Sequence, residues 1–322
     1  MTALLSIRIG VPIALLAGLC ATAQAQQLTA NRTPDPARAI FVYDDVDHFI
    51  AALDRIEAGA DTVAILEAEY FGRATPGLAM FVEKYDLTPE RLTEAIRQHP
   101  EKYADLDRIR RALTEQEPQF RRLYAQLKKF APLAEFPPTY FLVGAYRGIG
   151  SGSIEGPLIT VEKETPEGIE SGGLATTLVH EMVHLEQLML QGDDYFAIFG
   201  PEKTLLALTI REGTADYIAQ RVTGTVSSHD REAHDYVLDR EAELWRRFRM
   251  EMLEEETGDW LWETPADPEQ PQDVGYALGA RIVGVYYDAA PDKAAAVREI
   301  LAVTDYEVFL ERSGYAERFS SE

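Results

Sequence analysis

The pattern of hydrophobic and polar positions predicts a mainly helical chain with a small sheet near its middle. Residues 44–130 are helix-compatible and rich in charge, with breaks at glycine and proline residues. Within them, Thr88 is suited to cap a helix that starts at Pro89. Residues 139–143 and 158–161 are rich in β-branched and aromatic side chains, which favours two strands. The predicted fold class is therefore α+β, mainly helical.

Helical periodicity returns in the second half of the chain. Apolar residues recur in steps of three and four from Leu174 to Met189, which predicts a helix that begins near Ser171. Residues 144–156 are rich in glycine but lack the Gly-Lys-Ser/Thr ending of a phosphate-binding loop, so we interpret them as a connection. Further helices are predicted at residues 201–222, 230–256 and 273–288, with two short ones after Pro291.

The N-terminus carries the pattern of an export signal. Arg8 precedes an apolar run from Ile9 to Leu19, and Ala23-Gln24-Ala25 offers the small residues that signal peptidase accepts. The run is about half of the ~20 residues needed to span a bilayer. We therefore predict a signal peptide at residues 1–25, a periplasmic or secreted mature protein, and no stable membrane span after cleavage.

Charge and cysteine content exclude several classes of function. The formal net charge is -23 with a pI near 4.7, and such an acidic surface repels nucleic-acid phosphates. We therefore expect no nucleic-acid partner. Cys20, the only cysteine, lies in the predicted signal peptide, so the mature chain would have no disulfide, thiol nucleophile or cysteine ligand.

The motif His180-Glu181-Met182-Val183-His184 lies in the middle of a predicted helix. On a helix His180 and His184 differ by about 40° around the axis, so both imidazoles project from one face and can bind one metal ion. Zinc favours nitrogen ligands, and a catalytic zinc site uses three protein ligands and one open position. Glu181 would serve as the general base that takes a proton from the activated water. One zinc ion per chain is the expected cofactor.

A third ligand must come from elsewhere in the chain. The metzincin pattern needs glycine and histidine where this chain has Gln187 and Leu190, which excludes that class. Glu212 is our preferred third ligand, and Asp216, one turn onward, would accept a hydrogen bond from one ligand histidine. Two alternatives remain open. Either Asp216 is itself the ligand, as in aspzincins, or both carboxylates form surface ion pairs.

Three motifs together resemble the gluzincin metallopeptidases. They are the histidine motif, Glu212-Gly213-Thr214-Ala215-Asp216-Tyr217, and Gly275-Tyr276-Ala277-Leu278-Gly279. The chain is similar to an uncharacterised bacterial branch of predicted zinc-dependent proteases. The resemblance implies a zincin-like domain with His180, His184 and Glu212 on zinc and Glu181 as base. It also implies an active-site helix whose Tyr276 stabilises the oxyanion.

The predicted domain plan and activity follow from these motifs. A flexible leader at residues 26–39 and a helical region at 40–135 would precede a zincin-like metallopeptidase domain at 136–322. The expected reaction is hydrolysis of a peptide bond in a peptide or protein substrate. The alternatives are a zinc amidase that acts on a non-peptide amide and a non-catalytic, zinc-stabilised envelope protein that serves as a binding or assembly factor. Because zinc binding alone does not require a base, Glu181 favours a hydrolase.

Several other residues have weaker signals. Leu158–Val161 could form a sheet edge onto which an extended peptide adds. Trp260 and Trp262 could line a substrate cleft, although packing is the simpler interpretation. Besides Tyr276, which could also be a packed aromatic, other candidate oxyanion donors are Tyr217, Tyr140, Tyr146 and Arg281. Four histidines without ligand spacing are interpreted as surface residues: His48, His99, His229 and His234.

Overall fold

The computed structural model describes residues 32–57, 61–146, 150–200, 202–226 and 230–319. From Thr33 onward these residues form one compact unit. The predicted signal peptide lies outside the described residues, as do residues 26–31 of the predicted leader and His229. Thr33 pairs with Phe136 and Pro36–Arg38 form a 3-10 helix, so ordered structure begins before Ile40.

The architecture is mainly helical with one small mixed sheet, which confirms the α+β class. The Thr88 hydroxyl accepts a hydrogen bond from the backbone N–H of Arg91, which confirms the helix cap predicted there. A π-helical segment, Leu66–Tyr70, follows α2 directly. The helices of the N-terminal part are α1 (Asp44–Glu57), α2 (Thr62–Ile65), α3 (Pro76–Tyr85), α4 (Pro89–Gln98), α5 (Pro100–Tyr103) and α6 (Leu106–Phe130).

The sheet has four strands in the order β1-β2-β4-β3. The strands are β1 (Phe41–Val42), β2 (Thr139–Leu142), β3 (Gly150–Ser151) and β4 (Leu158–Thr160). β1, β2 and β4 are parallel, whereas β3 runs antiparallel to β4 with Ser151 opposite Leu158. β2 and β4 confirm the two predicted strands. Their residues are all buried, as expected for parallel strands covered on both faces.

The edge strands of the sheet are β1 and β3, so the prediction that Leu158–Val161 forms an edge is wrong. β4 lies between β2 and β3 and is paired on both sides. Gly150–Ser151 has neither the length nor the β-branched or aromatic residues that mark a strand in a sequence. Only the pairing with β4 identifies β3.

The C-terminal half is helical. Its helices are α7 (Pro166–Glu170), α8 (Ala175–Gln191), α9 (Asp194–Ala197), α10 (Leu205–Thr223), α11 (Arg231–Glu251), α12 (Val274–Ala289), α13 (Lys293–Leu301) and α14 (Tyr306–Ser313). The last five confirm the predicted helices within a few residues. Ser171 follows the end of α7 rather than starting α8, because Gly172 has φ 87° and a left-handed residue ends a helix.

α10 lies at the centre of this half and packs against both α8 and α12. Nearly all of its residues are buried, so it has almost no solvent-exposed face. At its crossing with α12 there is no room for side chains. A Cβ atom on Gly213 would lie 2.2 Å from the carbonyl carbon of Gly279, and one on Gly279 would lie 2.0 Å from the carbonyl oxygen of Thr209. The two glycines therefore allow the helices to touch.

Within the part of the chain that the structure describes, no helix is both long enough and apolar enough to cross a bilayer.

Candidate metal centre

α8 directs its two histidines toward the interior of the protein. The side chain of His184 is 4% exposed and that of His180 is 13% exposed. The helix is held in this orientation by apolar residues on its other faces. These anchoring side chains, all fully buried, are Leu178, Val179, Met182 and Val183.

Glu212, on α10, completes a group of three converging side chains. His184 Nε2 lies 3.0 Å from His180 Nε2 and 3.0 Å from Glu212 Oε2. The distance between His180 Nε2 and Glu212 Oε2 is 3.3 Å. Ligand atoms about 2.0 Å from a tetrahedral zinc ion are separated by roughly 3.3 Å, so this spacing fits a metal ion between them. The three residues form a group that could hold a metal.

The hydrogen bonds of the outer ring nitrogens support a cation at this point. His180 Nδ1 lies 3.2 Å from Asp216 Oδ1, and His184 Nδ1 lies 2.8 Å from Gln187 Oε1. The Gln187 amide nitrogen donates to the carbonyl oxygen of Arg211, which leaves its oxygen as the acceptor for His184. With both Nδ1 atoms donating, the Nε2 lone pairs of neutral rings point at each other and at the carboxylate. Only a proton or a metal ion between these atoms removes the repulsion between their lone pairs.

Protons and a metal ion compete for these atoms. Burial alone would lower the pKa of His180, but its hydrogen bonds to Asp216 and Glu212 raise the pKa well above its usual range. Burial and the nearby Arg211 guanidinium lower the pKa of His184. Burial opposes ionisation of Glu212, yet His184 and Arg211 hold its pKa well below the usual range. The carboxylate is therefore ionised, and binding of a metal would release a proton from His180.

Glu181 faces β3, one of the two edge strands of the sheet. A Cβ atom on Gly150 would lie 2.5 Å from Glu181 Oε1, and one on Gly152 would lie 3.7 Å from Glu181 Oε2 and 3.1 Å from His184 Cβ. β3 therefore passes directly over the start of the histidine motif. The absence of side chains at these two glycines lets the strand approach the carboxylate closely.

Arg211 is a site residue that the sequence analysis missed. Its side chain is 9% exposed, and one guanidinium nitrogen donates to Glu212 Oε1. A second nitrogen donates to the Tyr195 hydroxyl, and the rings of Tyr195 and Phe199 lie 4.9 Å and 4.8 Å from the guanidinium carbon. This pairing occupies Oε1, so Oε2 alone faces the histidines. The available signal was its position directly before Glu212, after a run of six largely apolar residues, Leu205–Ile210.

Asp216 lies between two histidines. Its Oδ1 is 3.2 Å from His180 Nδ1, and its Oδ2 is 3.0 Å from His234 Nε2. Burial opposes ionisation, but hydrogen bonds from both histidines lower the pKa of Asp216. The prediction that His234 is a surface residue is wrong, because it is buried against Asp216 and Gln220. Its partner lies on another helix, so sequence spacing around His234 carries no signal.

Tyr276, on α12, lies beside His180 of this group. The two rings are 6.0 Å apart and within 21° of parallel. Burial and the Glu212 carboxylate raise the pKa of the Tyr276 phenol well above its usual range, so it is protonated and can donate a hydrogen bond. The other candidate donors have different contacts. Tyr217 packs on Tyr287, Tyr146 stacks on His99, Tyr140 is buried in β2, and Arg281 donates to Glu241.

The two tryptophans near Tyr276 have separate environments. Trp260 is 1% exposed and donates its indole N–H to Glu251, so it is a core residue. Trp262 is 48% exposed and donates its indole N–H to the Tyr276 hydroxyl over 2.8 Å. Only Trp262 therefore contacts the site.

Lys84, on α3, brings a positive charge from the N-terminal part to the edge strand. Its ammonium lies 2.5 Å from Ser151 Oγ and 3.2 Å from the Gly152 carbonyl oxygen. Burial lowers the pKa of Lys84, and the Glu181 carboxylate acts in the opposite direction. Nothing in the sequence of this region indicates the contact, because a lone lysine on an amphipathic helix is common.

Comparisons of the chain with protein-family models, curated proteins and solved structures give no match. The fold and the site therefore define the class by themselves. The chain is a mainly helical α+β protein with a buried group, His180, His184 and Glu212, that could bind a metal ion.

Proposed function

We propose that the protein is an exported zinc metallohydrolase of gluzincin type that cleaves peptide bonds in peptides or proteins. The observation that carries this proposal is the convergence of His180 Nε2, His184 Nε2 and Glu212 Oε2 within 3.3 Å of one another. Beside them, Glu181 faces a sheet edge. A group that only bound metal would not need a carboxylate there.

Zinc is the metal that suits these ligands best. Two imidazole nitrogens and one carboxylate oxygen match the ligand set of catalytic zinc sites, in which a fourth position stays open. Magnesium and calcium prefer sites made of oxygen atoms alone. The hydrogen bond from His180 to Asp216 adds the carboxylate partner that commonly fixes the tautomer of a zinc-ligating histidine.

Each residue of the site has a role in the proposed reaction. A bound zinc ion would supply Lewis-acid activation of water and of the scissile carbonyl. Glu181 accepts the proton of the attacking water and passes it to the leaving amine. Tyr276 donates a hydrogen bond to the oxygen that gains negative charge in the transition state. Arg211 holds Glu212 so that only one of its oxygens faces the histidines.

The edge strand supports a peptide substrate. Within the described sheet, β3 pairs only with β4, so its outer edge can take an extended chain by main-chain hydrogen bonds. This edge lies over Glu181, as the close approach of Gly150 to its carboxylate indicates. A peptide bound there would pass directly beside the general base.

The Glu181→Gln variant tests the catalytic part of the proposal. We expect zinc content to stay unchanged, while cleavage of a broad peptide library, followed by mass spectrometry, slows by about 10²- to 10⁴-fold. The matched control is Glu170→Gln, an exposed carboxylate just before the histidine helix, which should change neither property. Equal turnover in Glu181→Gln and the wild type would refute the mechanism.

Metal analysis tests the ligand set separately. His180→Ala and Glu212→Ala should each lose the zinc that co-purifies with the wild type. Asp216→Ala should keep it at lower affinity, because Asp216 contacts His180 from the side away from Nε2. Loss of zinc from Asp216→Ala, with retention in Glu212→Ala, would instead make Asp216 the third ligand.

A further inference from the structure

Trp262 has an unusual backbone conformation for a bulky exposed residue. Its φ is 66°, in the left-handed region that residues other than glycine, asparagine and aspartate rarely adopt. The indole is 48% exposed, so burial in the core does not account for this conformation. Strained residues of this kind persist where the surrounding structure holds them, and they concentrate at functional sites.

Asp273 holds Trp262 in this conformation. The Asp273 carboxylate accepts the backbone N–H of Trp262 over 2.6 Å. Asp273 itself has φ 60° and immediately precedes α12, the helix that carries Tyr276. The loop that carries Trp262 is thereby tied to the first turn of α12.

The indole N–H of Trp262 sets the hydrogen-bonding role of the Tyr276 hydroxyl. The nitrogen lies 2.8 Å from the phenol oxygen. Indole nitrogen donates but does not accept, so the phenol oxygen must be the acceptor. The phenol proton is therefore not used by Trp262. Among the described residues, no acceptor receives it.

We propose that Trp262 is a positioning residue for Tyr276. Its indole N–H fixes the phenol beside His180 and leaves the hydroxyl proton free to meet the substrate oxygen that gains charge. This inference rests on the proposed hydrolase function, in which Tyr276 donates that hydrogen bond. A donor that is already oriented loses little freedom when the reaction proceeds, which is the basis of electrostatic preorganisation.

Trp260 provides an internal comparison. It lies two residues earlier, but its ring packs edge-on against Phe248 and its N–H is bound by Glu251. It contributes to the core and has no contact with Tyr276 among the described hydrogen bonds. Substitution of each tryptophan by phenylalanine removes one indole N–H, so the pair separates an effect on Tyr276 from a general effect of losing an indole.

Nuclear magnetic resonance tests the contact without any substrate. The mature chain has three tryptophans, so zinc-loaded protein should show three indole N–H signals, which phenylalanine variants assign. In Tyr276→Phe we expect the Trp262 signal to shift upfield because its acceptor is lost, while the Trp260 signal stays in place. An unshifted Trp262 signal would show that the indole does not bind the phenol, and would overturn the inference.

A double-mutant cycle tests the role in catalysis, with a peptide that the wild type cleaves as substrate. Tyr276→Phe should lower kcat by about 10²-fold, as removal of one oxyanion donor does elsewhere. Trp262→Phe should lower kcat by about 3- to 10-fold, the effect of one neutral hydrogen bond, with KM nearly unchanged. In the Tyr276→Phe background, Trp262→Phe should have no further effect, because it acts through Tyr276.

The outcomes separate this inference from the proposed function. If Trp262→Phe lowers kcat equally in both backgrounds, or acts only on KM, Trp262 is a substrate contact and the positioning role is wrong. Trp260→Phe should not couple to Tyr276→Phe. If the wild type cleaves no peptide, the proposed function fails, and the resonance experiment still decides whether Trp262 holds the phenol.

Discussion

At the scale of single residues, the site depends on how each buried carboxylate is shared. Glu212 divides its two oxygens between Arg211 and the histidines, and Asp216 divides its oxygens between His180 and His234. Each carboxylate thus has one oxygen on the histidine pair of α8 and one on a second side chain. This division fixes the orientation of each carboxylate and keeps it in the charged form.

Asp216→Asn should weaken zinc binding by about 10- to 100-fold. The variant cannot accept the His180 proton with full negative charge, so His180 loses both orientation and basicity, an effect typical of such supporting carboxylates. Competition with a chromophoric chelator measures the affinity. Asp235→Asn, an exposed carboxylate on α11, is the matched control and should bind zinc as the wild type does. Unchanged affinity in Asp216→Asn would contradict the role given to Asp216.

Arg211→Met should destabilise the metal-free protein by about 3–5 kcal/mol, because it leaves the buried Glu212 carboxylate without its cation. With zinc bound, the metal itself neutralises Glu212, so the loss should be smaller. Urea unfolding with and without zinc measures both values. Arg108→Met breaks an exposed pair with Glu167 and should cost no more than about 1 kcal/mol. Equal losses with and without zinc would indicate that Arg211 acts only by packing.

At the scale of elements, the close crossing of α10 and α12 brings Glu212 and Tyr276 to the same site. The crossing occurs at Gly213 and Gly279, directly after Glu212 and three residues after Tyr276. The third element, α8, supplies both histidines. Three helices therefore meet at the candidate metal centre, and β3 covers it from the sheet.

Gly279→Ala should separate α10 from α12. The added Cβ would lie 2.0 Å from the Thr209 carbonyl oxygen, which belongs to backbone and cannot rotate away. We expect a loss of stability of about 1–3 kcal/mol from overpacking, together with weaker zinc binding as Glu212 moves. Thermal unfolding and zinc titration measure these changes. Gly284→Ala on the same helix meets only the Tyr217 ring at 3.2 Å and should be far milder. Similar losses of stability and zinc binding in both variants would show that the close contact at Gly279 is not what sets the packing of α10 against α12.

Local signals predicted most of these elements. The helices after residue 200, strands β2 and β4 and the Thr88 cap follow from periodicity and capping residues, which act over a few positions. The start of α8 and the edge strand β3 do not follow from such local signals. Gly172 breaks the helical pattern after Ser171, and β3 is recognisable only by its pairing with β4.

At the scale of the whole molecule, the buried Glu162 couples stability to pH. Its side chain accepts the backbone N–H groups of Gly144 and Tyr146, which lead toward β3. Burial raises the pKa of Glu162 from 4.5 to about 7. The folded protein therefore holds a proton that the unfolded chain has already lost between these pH values.

The Glu162 contribution to stability is complete below pH 4.5 and is lost as pH rises through about 7. Glu162→Gln removes this titration. Relative to the wild type, the variant should gain up to about 3 kcal/mol between pH 4.5 and 8, because one pKa unit corresponds to about 1.4 kcal/mol. Urea unfolding of both proteins across this range measures the difference. A difference that does not change with pH would show that Glu162 titrates alike in the folded and unfolded states.

The sequence by itself determined the mainly helical α+β class and the histidine pair, because both depend on periodicity and on spacing within one helix. It also proposed Glu212 as third ligand and Asp216 as support. The tertiary structure alone decided that Arg211, His234, Trp262 and Lys84 belong to the site and that β3, rather than β4, is an edge strand. These contacts depend on which buried surfaces meet. His234 reaches Asp216 across 18 residues and Lys84 reaches Ser151 across 67, and no local pattern records such pairings.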